Sequence, residues 1–203
     1  MAHIYKKVGF KLEICVDNLS SAISAAHSGA DRLELSQALD LGGLTPSIGF
    51  IRLVMINIRT KPIFMLVRPR AGNFVYNRSD LEIMIGDMNN AHYFGVDGFV
   101  TGALTNDGQI DREACGALIK AARGKPVTFH RAFDLTHSEQ ALTEIVSLGF
   151  KRILTSGRCK TASEGMPALK SLVAQTNSTA TCASPSLMAA SQIIIMPGKY
   201  IML

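Results

Sequence analysis

Ionisable side chains lie inside apolar segments of this sequence. Such segments are typical of buried β-strands, where an unpaired charge is costly and the fold alone does not require one. Carboxylates and an imidazole could transfer protons, and guanidinium groups could hold an anion. The candidate acid–base residues are Glu13, Glu34 and His130, and the candidate anion-binding residues are Arg68, Arg70 and Arg131. The thiol of Cys15 lies in the same pattern, two residues after Glu13.

Strand-like and helix-like segments alternate along the chain. The predicted strands are 11–16, 31–36, 62–68, 97–102, 126–131, 151–155 and 192–196. Helix starts are indicated at Asn18, Thr45–Pro46, Ser79 with capping-box spacing to Glu82, Asp111 and Ser138. A glycine at the helix end precedes a strand at Gly29, Gly95 and Gly149. This alternation predicts an α/β fold with a parallel sheet covered by helices.

A barrel is favoured over an open dinucleotide-binding sheet. The first predicted strand is not followed by Gly-x-Gly-x-x-Gly, because Asp17 and Asn18 come next. In a TIM-type (β/α) barrel, functional residues gather at the C-terminal ends of the strands. We therefore expect one cavity to contain Glu13, Glu34, Arg68, His130 and Arg131.

Composition excludes several classes of protein. The chain has 203 residues, of which 47% are hydrophobic, and this is enough for one domain with a core. Its formal charge is +5. Its basic residues are scattered, which argues against nucleic acid as a partner. No apolar run has the length of a membrane span or the form of a signal peptide, so we expect no membrane partner and an intracellular location. Four cysteines lie far apart and predict free thiols.

Eight motifs in order resemble the CutC family, which is associated with copper homeostasis. They are Leu12–Asp17, Gly29–Leu35, Gly42–Ser47, Arg68–Arg70, Gly102–Gly108, Thr128–Asp134, Leu154–Gly157 and Ile194–Gly198. The resemblance implies a TIM-type barrel, a cytoplasmic location, self-association into a homo-oligomer, and binding of Cu(I) as cofactor or cargo.

The resemblance also implies a pair of facing thiols for Cu(I), and this chain departs from it. Cys15 matches the first position and is the candidate Cu(I) ligand, whereas the second position is Ser36. A hydroxyl is a poor ligand for a soft metal ion, so the implied copper site is halved.

The C-terminal part departs from the family pattern as well. Residues 174–191 are predicted to form a polar insertion, and the sequence lacks the last βα unit of the family pattern after strand seven. The expected architecture is an N-terminal extension at 1–10 and a single barrel domain at 11–203, incomplete with about seven strands.

Three functions stay open at this point. The first is a copper homeostasis protein that handles Cu(I), and the second is an enzyme that performs acid–base chemistry on a small anionic metabolite. The third is a truncated, weakly active isoform. Structural interpretations stay open too: Cys15 as a small buried hydrophobe, His130 as a core histidine, and the two glutamates as ion-pair partners of Arg32, Arg68 or Arg131.

Overall fold

The computed structural model describes residues 11–182 and 192–195, with side chains described over residues 11–175. The strands are β1 Glu13–Val16, β2 Arg32–Leu35, β3 Ile63–Leu66, β4 Gly98–Thr101, β5 Val127–Phe129, β6 Arg152–Thr155 and β7 Gln192–Ile195. The α-helices are α1 Leu19–His27, α2 Ile48–Asn57, α3 Arg78–Phe94, α4 Arg112–Ala121, α5 Ala141–Ser147 and α6 Met166–Cys182. Short 3-10 helices lie at Leu39–Leu41 and Arg131–Leu135. The alternation of strands and helices is confirmed, with each strand shorter than predicted.

Two predicted helix starts are confirmed by their side chains. Asn18 Oδ1 accepts a hydrogen bond from the Ser21 backbone N–H at 2.8 Å, and α1 begins directly after Asn18. Asp111 Oδ1 accepts from the Ala114 backbone N–H at 2.9 Å and caps α4. Each cap satisfies a donor that the first helical turn leaves without a partner.

The other three predicted starts are wrong. The Thr45 hydroxyl accepts a hydrogen bond from the Arg68 N–H at 2.9 Å, so Ser47 caps α2 in its place. Helix α3 begins before Ser79, because Asn77 and Asp80 exchange side-chain to backbone hydrogen bonds of 2.8 and 3.2 Å. Helix α5 begins at Ala141, later than Ser138 predicts.

Residues 11–71 and 83–100 form the first of two compact units. Its strands β1, β2, β3 and β4 pair in parallel, each with the next along the chain. One face of this sheet carries the fully buried Leu33, Leu35, Ile63 and Met65. Because side chains alternate along a strand, the opposite face carries the polar residues of β1 and β2.

The second unit comprises residues 72–82, 101–182 and 192–195 of the described chain. The His130 N–H donates to the carbonyl of Thr101, which ends β4, and β5, β6 and β7 pair in parallel. Its core includes Phe129 and Phe150, whose rings lie 5.1 Å apart and nearly perpendicular. His130 follows β5 directly, so the strand delivers the imidazole to its carboxyl end.

Some predictions of domain organisation stay predictions. The extension at 1–10 lies outside the described residues. Part of the predicted polar insertion, up to Cys182, belongs to helix α6. The single barrel domain and its strand count also stay predictions. Among the helices that the structure describes, none combines the length and the hydropathy of a membrane span.

Candidate functional site

Strand pairing in the first unit brings together a group that we call the Cys15 cluster. Its members are Glu13, Cys15, Arg32, Glu34 and Ser36. The register aligns Glu13 with Arg32 and Cys15 with Glu34, and the two-residue period of a strand directs all five side chains to one face. The sequence prediction that Glu13, Cys15 and Glu34 lie on neighbouring strands is confirmed.

The Cys15 thiol contacts Glu34 on β2 and Ser36, which directly follows β2. Its Sγ lies 3.3 Å from Ser36 Oγ, and it donates a hydrogen bond to Glu34 Oε1 at 3.6 Å. Burial, followed by the charge of Glu34, raises the pKa of the Cys15 thiol well above its ordinary value. At neutral pH the sulfur is therefore a protonated thiol, which must lose its proton before it can act as a nucleophile or a metal ligand.

Glu34 is a buried carboxyl group whose proton is retained at neutral pH. Burial, followed by the nearby charge of Glu13, raises the pKa of Glu34 to about 8 against smaller opposing effects from Cys15 and Arg32. A neutral carboxylic acid can donate a proton, so Glu34 is a candidate general acid.

Glu13 forms an ion pair with Arg32. Arg32 Nε donates to Glu13 Oε2 at 2.7 Å, and the side chains of Arg32 and Glu13 are 13% and 8% exposed. Of the ion pairs left open by the sequence, the structure shows Glu13 with Arg32. The guanidinium carbon of Arg32 lies 4.6 Å from the centroid of the Phe64 ring, which occupies the space that a side chain at Gly98 would need. The other carboxylate oxygen, Glu13 Oε1, is buried without a hydrogen-bond partner among the described residues.

Arg68 supports a loop next to this cluster. Its side chain is buried, and Nη1 donates to the carbonyl oxygens of Leu41 and Gly43 at 3.0 and 2.9 Å. Gly43 lies against Ser36, since a Cβ there would be 3.6 Å from the serine Cβ. These bonds give Arg68 a structural role, and the backbone carbonyls that accept them leave no signal in the sequence. Arg70 is half-buried.

His130 is buried among aromatic rings in the second unit. Its imidazole centroid lies 4.6 Å from that of Phe74, and Nδ1 accepts a hydrogen bond from the Ala132 N–H at 3.3 Å. A nitrogen that accepts carries no proton, so the neutral ring carries its proton on Nε2. In this form His130 is a hydrogen-bond donor at Nε2 rather than a general base.

A second group, which we call the Asp134 cluster, lies at the end of β6. Its members are Arg131, Asp134, Thr155, Ser156 and Arg158. Arg131 Nε donates to Asp134 Oδ2 at 2.9 Å, and Arg131 Nη2 donates to Ser156 Oγ at 2.6 Å. The sequence predicted Arg131 as an anion-binding residue, and the anion that it contacts here is a side chain of the same chain. Arg158 was missed, because nothing in the sequence marks its loop position.

The Cys15 cluster is poorly suited to Cu(I), because it offers the ion a single soft ligand. Cu(I) selects thiolate and thioether ligands, and this cluster offers one protonated thiol beside a hydroxyl and carboxyl groups. Among the described residues, no group of three histidine, cysteine or acidic side chains could hold a metal ion. The thiol of Cys115 is also unsuited, since burial raises its pKa to about 12.

The predicted site residues therefore fall into separate groups within each unit. Glu13 and Glu34 meet in the first unit, where Arg68 contacts the neighbouring loop. Arg131 takes part in the Asp134 cluster of the second unit, directly after His130 in the sequence. The prediction that all five share one cavity stays a prediction.

Solved structures of low sequence identity show the class of fold. Phosphonopyruvate hydrolase in complex with oxalate and magnesium matches 93% of this chain and 76% of its own, at 15% identity and a TM-score of 0.56. A deoxyribose-phosphate aldolase from Toxoplasma gondii matches at 12% identity, with a TM-score of 0.54 and coverage of 93% and 75%. These likenesses define an α/β fold of the TIM-barrel type.

Closer relatives show the family. The CutC family model matches residues 10–191. A copper homeostasis protein cutC homolog from Homo sapiens is 44% identical over 94% of this chain. The crystal structure of CutC from Streptococcus agalactiae is 34% identical, with a TM-score of 0.78 and coverage of 82% of this chain and 83% of that one. The chain belongs to the CutC family. It spans 65% of the length of the human relative.

Proposed function

We propose that this chain acts in copper homeostasis and that Cys15 is the residue through which it contacts Cu(I), its cargo. Family membership and the names of the relatives support the role. The observation that carries the residue assignment is the 3.3 Å distance between Cys15 Sγ and Ser36 Oγ. The two positions that the family resemblance pairs as thiols face each other here, and only one of them is sulfur.

This geometry predicts weak Cu(I) binding. The single thiol must lose its proton in a buried site beside Glu34, which raises its pKa. The hydroxyl of Ser36 adds no soft donor. A copper homeostasis role for this chain therefore rests on brief contact with the ion rather than on storage.

A competition titration against a Cu(I) chelator tests the assignment. Ser36→Cys should tighten binding at least about tenfold, because it places a second sulfur beside Cys15. Cys15→Ser should remove the remaining binding, and Cys115→Ser is the matched control that should change nothing. Equal affinity in all four proteins would contradict the role of Cys15.

A second candidate is an enzyme that performs acid–base chemistry on a small anionic metabolite. The observation that favours it is the buried Glu34, whose pKa is raised to about 8 beside the charged Glu13. Two carboxyl groups held in different protonation states can serve as acid and base. Of the three candidate arginines, Arg70 would hold the anion, because Arg68 and Arg131 already donate to groups of the same chain.

Hydrogen exchange into small molecules tests this second function. We expect the chain to incorporate deuterium from heavy water into a member of a panel of small 2-oxo and 2-hydroxy carboxylates. Glu34→Gln should abolish this incorporation, whereas Glu82→Gln, at an exposed helix position, should keep it. Absence of enzyme-dependent exchange across the panel would contradict the proposal.

We also propose a TIM-type barrel of about seven strands in a single cytoplasmic domain that self-associates. Support comes from the alternation of parallel strands with helices and from the 34% identical CutC structure. Light scattering coupled to size-exclusion chromatography tests the self-association. A mass equal to one chain at all concentrations would contradict it.

A further inference from the structure

Asp134 lies at the centre of converging hydrogen-bond donors. Its Oδ1 accepts from the backbone N–H of Arg158 at 3.0 Å and from the hydroxyl of Thr155. Its Oδ2 accepts from Arg131 Nε at 2.9 Å, and from the backbone N–H and the hydroxyl of Ser156, both at 3.1 Å. The Asp134 side chain is only 7% exposed. Both oxygens of one carboxylate therefore have several donors.

These donors are the kinds that bind oxyanions in proteins. Successive backbone N–H groups in a turn form a concave anion site, and a guanidinium adds a charged donor with matching geometry. The left-handed backbone of Arg158, with a φ of 63°, turns its N–H toward the carboxylate. The loop follows a parallel strand, where folds of this class place ligand-binding groups.

We propose that residues 155–158 and Arg131 form an oxyanion-binding site whose resident anion is the Asp134 carboxylate. By occupying the donors, Asp134 excludes phosphate groups of ligands from this loop. A phosphate could enter only if Asp134 left, because two anions sharing the same donors repel each other. Asp134 is thus a specificity-determining residue. This inference is independent of the proposed function, since it concerns anion binding at the Asp134 cluster and requires no turnover.

Removal of the carboxylate tests the proposal through binding of inorganic phosphate. Asp134→Ala should bind phosphate in calorimetric titration at least about tenfold more tightly than the unchanged protein. Adding Arg131→Ala to the same chain should remove that gain. A folded Asp134→Ala protein that binds no phosphate, or an unchanged protein that binds it as tightly, would overturn the proposal.

Two further measurements separate this site from general effects of lost charge. Asp111→Ala frees backbone donors at the start of α4 without a guanidinium, and an equal gain in phosphate binding there would overturn the proposal. Formate supplies the missing carboxylate as a separate ion, and it should raise the melting temperature of Asp134→Ala more than chloride does at equal ionic strength. Asp134→Ser is the second variant if alanine prevents folding, and the same titrations are read in the same way.

Discussion

The two units bury acidic side chains in opposite ways. In the first unit, burial followed by the charge of Glu13 raises the pKa of Glu34 to about 8, and the hydrogen bond from the Cys15 thiol offsets this rise only in part. In the second unit, Asp134 receives hydrogen bonds from Arg131, Ser156 and other donors. The hydrogen-bond donors around a buried acid, as well as its burial, therefore determine its role, which is to hold a proton or to hold a loop in place.

The largest expected effect is a pH dependence of stability caused by Glu34. In the folded chain Glu34 keeps its proton up to about pH 8, whereas in the unfolded chain it loses the proton near its ordinary pKa of 4.5. The folded state therefore binds more protons between these values, and the free energy of unfolding falls as the pH rises through this window. The loss should be on the order of 4 kcal/mol.

Glu34→Gln should remove this dependence, since glutamine stays neutral at every pH of the window. Urea denaturation across the window measures the free energy of unfolding of both proteins. Glu82→Gln is the matched control, because that side chain is 65% exposed. Parallel pH profiles for the unchanged protein and Glu34→Gln would contradict the difference between the two acids.

The next effect concerns Asp134. Asp134→Ala should lower the free energy of unfolding by about 3 kcal/mol, because several buried donors lose a charged acceptor at once. Asp31→Ala is the control, as its exposed carboxylate accepts from the N–H of Leu12 and should contribute about 1 kcal/mol. Chemical denaturation of both variants at one pH checks the order. If the Asp31 variant lost as much stability, the hydrogen bonds of Asp134 would stabilise the fold no more than the hydrogen bond of one exposed aspartate does.

A smaller effect should follow from crowding Phe64. Gly98→Ala places a methyl group where the Phe64 ring lies, and moving the ring disturbs its contact with Arg32. We expect a loss of about 2 kcal/mol, typical of overpacked cores. Gly49→Ala in α2 meets no atom within 4 Å and should leave stability equal or slightly higher. Thermal melts of the two variants check this, and an unchanged Gly98→Ala protein would show that the ring moves freely.

The smallest effect concerns thiol reactivity. Because burial and Glu34 raise its pKa, the Cys15 thiol of the folded chain should react with iodoacetamide more slowly than Cys159, although both residues are half-buried. Cys115, with a pKa raised to about 12, should also react slowly. Peptide mapping by mass spectrometry gives the order of alkylation. Above pH 8, where Glu34 is charged, Cys15 should react faster in Glu34→Gln than in the unchanged protein, and no change there would remove Glu34 from the causes.

Local patterns in the sequence predict much of the first unit and less of the second. The two-residue period of β1 and β2 is sufficient to place Cys15 beside Glu34, because strand pairing brings equivalent positions together. The predicted helix start is wrong where a tertiary contact intervenes. At Thr45, for example, the hydroxyl accepts a hydrogen bond from the Arg68 backbone N–H. The loop carbonyls that accept hydrogen bonds from Arg68 leave no recognisable pattern in the sequence.

The Asp134 cluster shows the other limit. Asp134 and Ser156 come shortly after the predicted strands 126–131 and 151–155, but the hydrogen bonds between them join residues more than 20 positions apart in the sequence. Arg131 illustrates the consequence, since a guanidinium after a strand indicates an anion without saying whether a ligand or a side chain supplies it. Only tertiary structure distinguishes these cases.

Carbon-13 NMR of the glutamate side-chain carboxyl groups tests directly whether Glu34 keeps its proton at neutral pH in the folded chain. Glu34→Gln identifies the resonance by its loss from the spectrum. We predict a carboxyl group that titrates near pH 8 in the folded chain, apart from the exposed glutamates. Titration of Glu34 near its ordinary value of 4.5 would contradict the claim and, with it, the second candidate function.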